Sequence, residues 1–266
     1  MNARQGDFPK LTGPYLGQKP PGMTPEPFAP AIVKSGHSSL TISNDGKEIY
    51  WAAEGIYFTK HENGRWTKPE VLPFTREEDG DGPKLSPDDQ KLYFNSNRPR
   101  RPGDQRRERI WCVERTADGW GEPFPLGPEI NDEQLHWQVS VDGKGNLYFG
   151  SERHGSKGQD DVFMAEFKDG VFENPVSLET TVNSEAHEGS PYVAPDGSYL
   201  IFLRDPGLWI SFKGEDGRWT QAKKVGTLEE AVCPYVSPDQ KYLFFLRAGS
   251  IWWVDASVLG LKAAGR

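Results

Sequence analysis

The chain has two cysteines in 266 residues, Cys112 and Cys233, too few and too far apart for a disulfide framework or a thiolate metal cluster. No run of about 20 apolar residues is available to cross a bilayer, and the opening "MNARQGDFPKLTGPYLGQKPPG" lacks the apolar core of a secretion signal. These features predict a soluble chain and leave its compartment open. Clustered positive charge is also scarce. The formal net charge is −8, whereas binding to a phosphate backbone depends on massed Lys and Arg, so no nucleic-acid partner is expected. The one basic run, "RPRRPGDQRRER" at 98–109, is broken by acids and proline and reads as an exposed loop. Helix-length amphipathic runs are missing as well. With them go the nucleophile elbow, the P-loop and the dinucleotide fingerprint, all of which need a strand–turn–helix setting.

What the sequence does contain is turns and aromatics. Its 29 Gly and 22 Pro are spread along the whole length and 12% of residues are aromatic, the profile of an all-β protein built from short strands. One pattern recurs five times: "LTISNDGKEIYW" (40–51), "PKLSPDDQKLYF" (83–94), "WQVSVDGKGNLYF" (137–149), "PYVAPDGSYLIF" (191–202) and "PYVSPDQKYLFF" (234–245). Aligned on Asp45, Asp88, Asp142, Asp196 and Asp239, the copies are spaced as propeller blades are. A second aromatic strand follows each copy ("GIYFTK", "RIWCVER", "DVFMAEF", "LWISF", "SIWWVDA"). In the first four units a third motif such as "NGRWTKPEVLP" completes four strands per unit.

The fifth unit stops short of its outer strand. The segment "TPEPFAPAIV" at 24–33 resembles the missing piece, because Pro25-Glu26 matches Pro69-Glu70. The expected architecture is therefore a five-bladed β-propeller over residues 24–259, closed by an N-terminal strand that completes the C-terminal blade and removes two exposed edges. Residues 1–23 form an extended lead-in and 260–266 a tail. In such a ring the turn aspartates serve turn chemistry. The continuous apolar runs "YLIFL" and "YLFFL", with Trp66, Trp120 and Trp219, fill space between blades.

The "SPDDQKLYFNSNRP" copy, its four relatives and "SERHGSKGQDDVF" resemble the WD40-like (PD40) repeat of TolB-type β-propellers, over roughly residues 24–259. The resemblance implies the fold and favours a periplasmic or extracellular home. It leaves function open, since such repeats serve binding scaffolds and enzymes alike. The chain departs from the pattern where Arg109 replaces the aspartate found at Asp161 in "DDVF", and where the loops of blades 1, 4 and 5 are shortened.

Topology brings the segment before each first strand and the segment after each second strand to one mouth of the channel. Three of the five histidines fall there: His37, His136 and His187. One expectation is a divalent metal (zinc, manganese or calcium) on these three, with Glu188 as fourth ligand or general base. Some TolB-like propellers that cleave uronate-containing oligosaccharides hold a metal through histidines, and the resemblance implies that possibility here. Arg98, Arg153, Arg204 and Arg247 recur after four second strands. They read either as a structural ring of arginine–acid pairs or as forks for a substrate carboxylate, with Trp137 beside His136 as a further substrate-binding residue.

The leading reading is a propeller that binds a small molecule, glycan or protein segment at its channel mouth. The alternatives are a metal-dependent lyase or hydrolase acting on an acidic carbohydrate, and a protein-interaction scaffold. No carboxylate pair stands in a recognisable glycosidase setting, so catalysis is left undecided.

Overall fold

The computed structural model describes residues 8–34, 36–101, 103–131 and 135–261, with backbone alone at residues 135–137 and 227. Five antiparallel sheets, each with a core of four strands, are arranged as a five-bladed propeller. Blade 1 holds Leu40–Ile42, Glu48–Ala53, Gly55–Glu62 and Glu70–Val71; blade 2 holds Asp81–Leu85, Lys91–Ser96, Arg109–Thr116 and Phe124–Pro125. Blade 3 is built from Leu135–Val141, Leu147–Ser151, Asp161–Ala165 and Val176–Ser177, and blade 4 from Glu188–Val193, Tyr199–Arg204, Gly207–Phe212 and Lys223–Glu229. Blade 5 contributes Val232–Val236, Tyr242–Arg247 and Ser250–Asp255 from the C-terminal end.

The outer strand of blade 5 is Glu26–Pro27, as the sequence leads one to expect. Glu26 pairs with Trp253 and Pro27 with Trp252, and the Phe28 amide extends the ladder to the Ile251 carbonyl at 2.8 Å. Proline is tolerated there because the outward side of an edge strand needs no donor. Phe28 anchors the closure, its ring lying 5.1 Å from those of Phe244 and Trp253. Upstream, Tyr15 packs on Tyr242 and Trp253 of blade 5, while the Gly13 carbonyl accepts from the indole of Trp66 in blade 1. The lead-in thus spans the seam at which the chain closes on itself.

The turns between first and second strands repeat one hydrogen-bond scheme. In blade 1 the Ser43 hydroxyl donates to Asp45 (2.7 Å) and accepts from the Glu48 amide, while the Lys47 amide donates to Asp45. Ser86–Asp88 and Ser237–Asp239 reproduce it. Although partial burial pushes the Asp45 carboxyl upward, the Ser43 hydroxyl, the Lys47 amide and the Lys47 charge hold it below the usual carboxylate range. Blade 3 differs from the repeat alignment. Asp142 stands one residue after Val141, which pairs with Leu147, and so occupies the place of Ser43 and not of Asp45. Its carboxylate takes over the serine's task by accepting from the amides of Lys144 and Asn146. The tighter turn shifts the match by two residues, which similarity of "SVDG" to "SPDD" conceals.

A second repeat lies on the inner wall. Thr41, Lys84, Ser140, Tyr192 and Tyr235 each precede the apolar residue that pairs with the second strand, so they form one layer around the channel. Four of them stitch their blade to the next. Thr41 Oγ1 accepts from the Leu85 amide, Ser140 Oγ from the Val193 amide, Tyr192 donates to the Val236 carbonyl, and the Tyr235 hydroxyl exchanges hydrogen bonds with both backbone groups of Ile42 at 3.0 Å. The last of these joins blade 5 to blade 1 on the inside, as Glu26–Pro27 does on the outside.

Since Phe28 is 1% exposed and packs against the closing blade, Phe28→Ala is expected to destabilise the protein by about 3–5 kcal/mol. Urea denaturation measures this directly.

Candidate functional site

The mouth of the channel owes its shape to β-bulges. In blades 2 to 5 the register of the first strand slips at Gly82, Gln138, Ser190 and Cys233, all with left-handed φ of 57°, 59°, 45° and 54°. A bulge re-aims the side chains around it. Three of these four positions carry a non-glycine residue in a conformation that L side chains seldom adopt, a form of strain that recurs at functional sites.

Two connected hollows open at this mouth. The inner one is a throat with room for about one water-sized occupant, 10 Å³, lined by His37, Asp81, Asn95, Glu108 and Gln138 among others. The outer one, between blades 1 and 2, measures about 420 Å³ and shares His37 and Asp81, adding Glu54, Glu77, Glu78 and Asp79. Asp81 is fixed by the Ser38 hydroxyl (2.6 Å) and by the amide of Gly82 (2.7 Å), and the Asn95 side-chain amide donates to Glu108 at 3.0 Å. Two acceptors are left over. Asn95 Oδ1 and Gln138 Oε1 are buried without a hydrogen-bond partner among the described residues, on residues 3% and 7% exposed. Groups of this kind are uncommon in folded proteins and call for an explanation.

The sequence-derived histidines are placed differently from one another. His37 is exposed and its Nδ1 lies 3.9 Å from Asp81. His187 Nδ1 is 2.7 Å from Asp160 in the long loop of blade 3. It stands three residues before the bulge residue Ser190, whereas His136 stands two before Gln138, and an odd offset turns a strand side chain to the other face. The side chains of His136 and Trp137 lie outside the described residues. Among the described residues no group of three His, Cys, Asp or Glu is spaced to hold a metal ion.

Glu188 is fully buried. Its carboxylate accepts from the amide and hydroxyl of Ser184 and pairs with Arg204 Nε at 2.6 Å, which ties the entry of blade 4 to its own second strand. In this setting Glu188 is held as the partner of Ser184 and Arg204.

The arginines act as staples between blades. Arg98 donates to the Phe74 and Asp79 carbonyls, Arg153 to the Glu129 and Ile130 carbonyls, and Arg204 to the Val182 carbonyl, in each case on the segment that enters the blade. Every guanidinium also lies over aromatics of its second and third strands: Phe94 and Trp111, Phe149 and Phe163, Phe202 and Trp209, and for Arg247 Phe245 and Trp252. Of the acid partners the sequence suggested, Glu188 on Arg204 is present, and Arg98 and Arg153 donate to main-chain carbonyls. Asp161 anchors its long loop by accepting from the amides of Lys157 and Gly158.

Asn95, Glu108 and Gln138 escaped the sequence reading. Asn95 had a visible signal. The corresponding residues of the other blades are Ala52, Gly150, Leu203 and Leu246, so it is the one polar side chain of that ring.

Fold and mouth together define a five-bladed propeller with loops gathered around a narrow channel. No protein-family model matches the sequence, and no curated protein sequence matches it. Among solved structures the chain is similar to a TolB candidate from Agrobacterium tumefaciens, with 17% identity and a TM-score of 0.54 over 80% of this chain and 69% of that one. It is also similar to a chain of a nidogen/laminin complex, with 11% identity and a TM-score of 0.54 over 79% and 74%. A luciferin-regenerating enzyme aligns at 10% identity and a TM-score of 0.50 over 87% and 95%. At such identities the likeness lies in the fold alone. No described helix is long and apolar enough to cross a membrane.

The hydrogen bond and charge of Asp160, working against partial burial, raise the pKa of His187 above its ordinary value. A raised folded value means stability that is fully present below the unfolded pKa of about 6.5 and lost as pH rises through the folded one. His187→Asn is therefore expected to cost about 2 kcal/mol near pH 5.5 and less near pH 8.5, read from urea denaturation at the two pH values.

Proposed function

We propose that this chain is a recognition propeller that binds a small ligand at its channel mouth through hydrogen-bond donors or positive charge carried by the ligand. The observation that carries this reading is the pair of buried, partnerless oxygens, Asn95 Oδ1 and Gln138 Oε1, beside the Asp81 and Glu108 carboxylates in one throat. A buried acceptor without a donor costs about 1–3 kcal/mol, and a ligand that supplies the donor recovers it. The outer hollow, with Glu54, Glu77, Glu78 and Asp79, extends the same preference outward. An ammonium group or the hydroxyls of a glycan answer this chemistry. A substrate carboxylate fits this lining less well, and three of the arginines read as its receivers, Arg98, Arg153 and Arg204, donate to main-chain carbonyls.

A bound divalent ion is the second reading. Carboxylate and amide oxygens are the ligands of hard cations, so calcium suits this lining better than zinc.

Thermal-shift and calorimetric titration with primary amines, neutral glycans and calcium tests both readings. One class is expected to raise the unfolding temperature, and Gln138→Met is expected to weaken its binding by at least about tenfold, the equivalent of one hydrogen bond, with the unligated melting temperature moved by no more than a few degrees. Absence of binding by every class, or binding unchanged in Gln138→Met, would sink the proposal.

A further inference from the structure

The inner-wall layer leaves one seam without a stitch. Thr41, Ser140, Tyr192 and Tyr235 each bond the next blade, and Lys84, the fifth member, makes no hydrogen bond or ion pair among the described residues. Its chain crosses the channel instead. The amine lies 4.5 Å from the ring centroids of both Tyr192 and Tyr235, on a side chain 6% exposed. A small residue at this place would serve the ring as Thr41 and Ser140 do, so blade-to-blade hydrogen bonding does not account for the long amine.

We propose that Lys84 is a covalent attachment site for small aldehydes that enter the channel from the turn face, opposite the mouth. A cleft of about 30 Å³ reaches the amine from that side, past Asn44 and Asp89. By the measure in which the 10 Å³ throat holds about one water, this room holds about two, which fits a one- or two-carbon aldehyde and excludes a sugar. Burial in a setting without a carboxylate partner lowers the amine pKa to about 7, so much of it is an unprotonated nucleophile near neutrality.

The step balances without an oxidant or reductant. The nitrogen lone pair forms a bond to the carbonyl carbon, the carbon–oxygen bond breaks, and the oxygen leaves as water with the two hydrogens that the amine gives up, leaving an imine. If the imine is protonated, its charge lies against two tyrosine faces, which favour a cation. The other titratable side chains lining the cleft are Tyr192, Tyr235 and Asp89. Burial raises the pKa of both phenols and moves them further from Lys84, and Asp89 is pushed up by burial while accepting from the Asn44 amide.

The test is reductive trapping on the full chain. The protein is incubated with formaldehyde or acetaldehyde and cyanoborohydride near pH 7, and modified lysines are mapped by peptide mass. Lys84 is expected to be alkylated at least about tenfold faster than the exposed Lys47 and Lys241, since burial leaves roughly half of its amine neutral near pH 7. Its rate is expected to level off just above pH 7. Alkylation of Lys84 no faster than those lysines, or only after unfolding in urea, would overturn the proposal. Lys84→Met, checked for retained fold by circular dichroism, is expected to lose the fast phase of total labelling, and a fast phase that survives assigns it elsewhere and refutes the site.

Discussion

The pairing of Glu26–Pro27 with Trp252–Trp253 is the contact on which the rest of the molecule depends. A propeller is a row of blades, and each blade after the first covers the apolar face of its predecessor. Only closure gives the last blade a neighbour and the first blade a cover. Here the chain closes twice at one seam, by the strand on the outside and by the Tyr235 hydroxyl bonded to Ile42 on the inside. Phe28, Phe244 and Trp253 fill the space between these two closures.

With the ring closed, polar groups divide into those the scaffold consumes and those it does not. Arg98, Arg153 and Arg204 are consumed: each spends its donors on the carbonyls of the segment entering its blade and rests on aromatics of its own. Glu188 is consumed as the partner of Arg204 and Ser184. Among the described residues, those it does not consume include the two amide oxygens at the mouth, which lack a hydrogen-bond partner, and the amine of Lys84 within the channel, whose contacts are two tyrosine faces. They are of opposite character, acceptors at one end and a cation or nucleophile toward the other. Function is more credibly sought among groups that the fold leaves unsatisfied than among those that merely recur in the sequence.

The same distinction explains what was legible beforehand. The number of blades and the closing strand follow from local pattern, since turn chemistry and apolar runs are properties of a few adjacent residues. The site was legible in part. His37 could be placed at the mouth by topology, whereas Asn95 is recognised as the polar residue of an apolar ring position only once strand pairing aligns the blades. The role of Glu188 was hidden because it depends on Ser184 and Arg204 closing around it. Repetition drew attention to the arginines, yet in a repeat protein a recurring residue is recurring scaffold as readily as recurring function.

The sequence by itself determined an all-β ring of five blades, because strand, turn and repeat are encoded at spacings of a few residues to a few tens. The tertiary structure alone decided which side chains meet across blades. One extra residue before a bulge sends His187 to Asp160 and away from the throat, a shorter turn moves Asp142 into the serine's place, and a missing stitch frees Lys84. The physical reason is that a strand reverses the direction of its side chains at every residue. Register, which is set by packing among all five blades, therefore settles what composition and spacing leave undetermined.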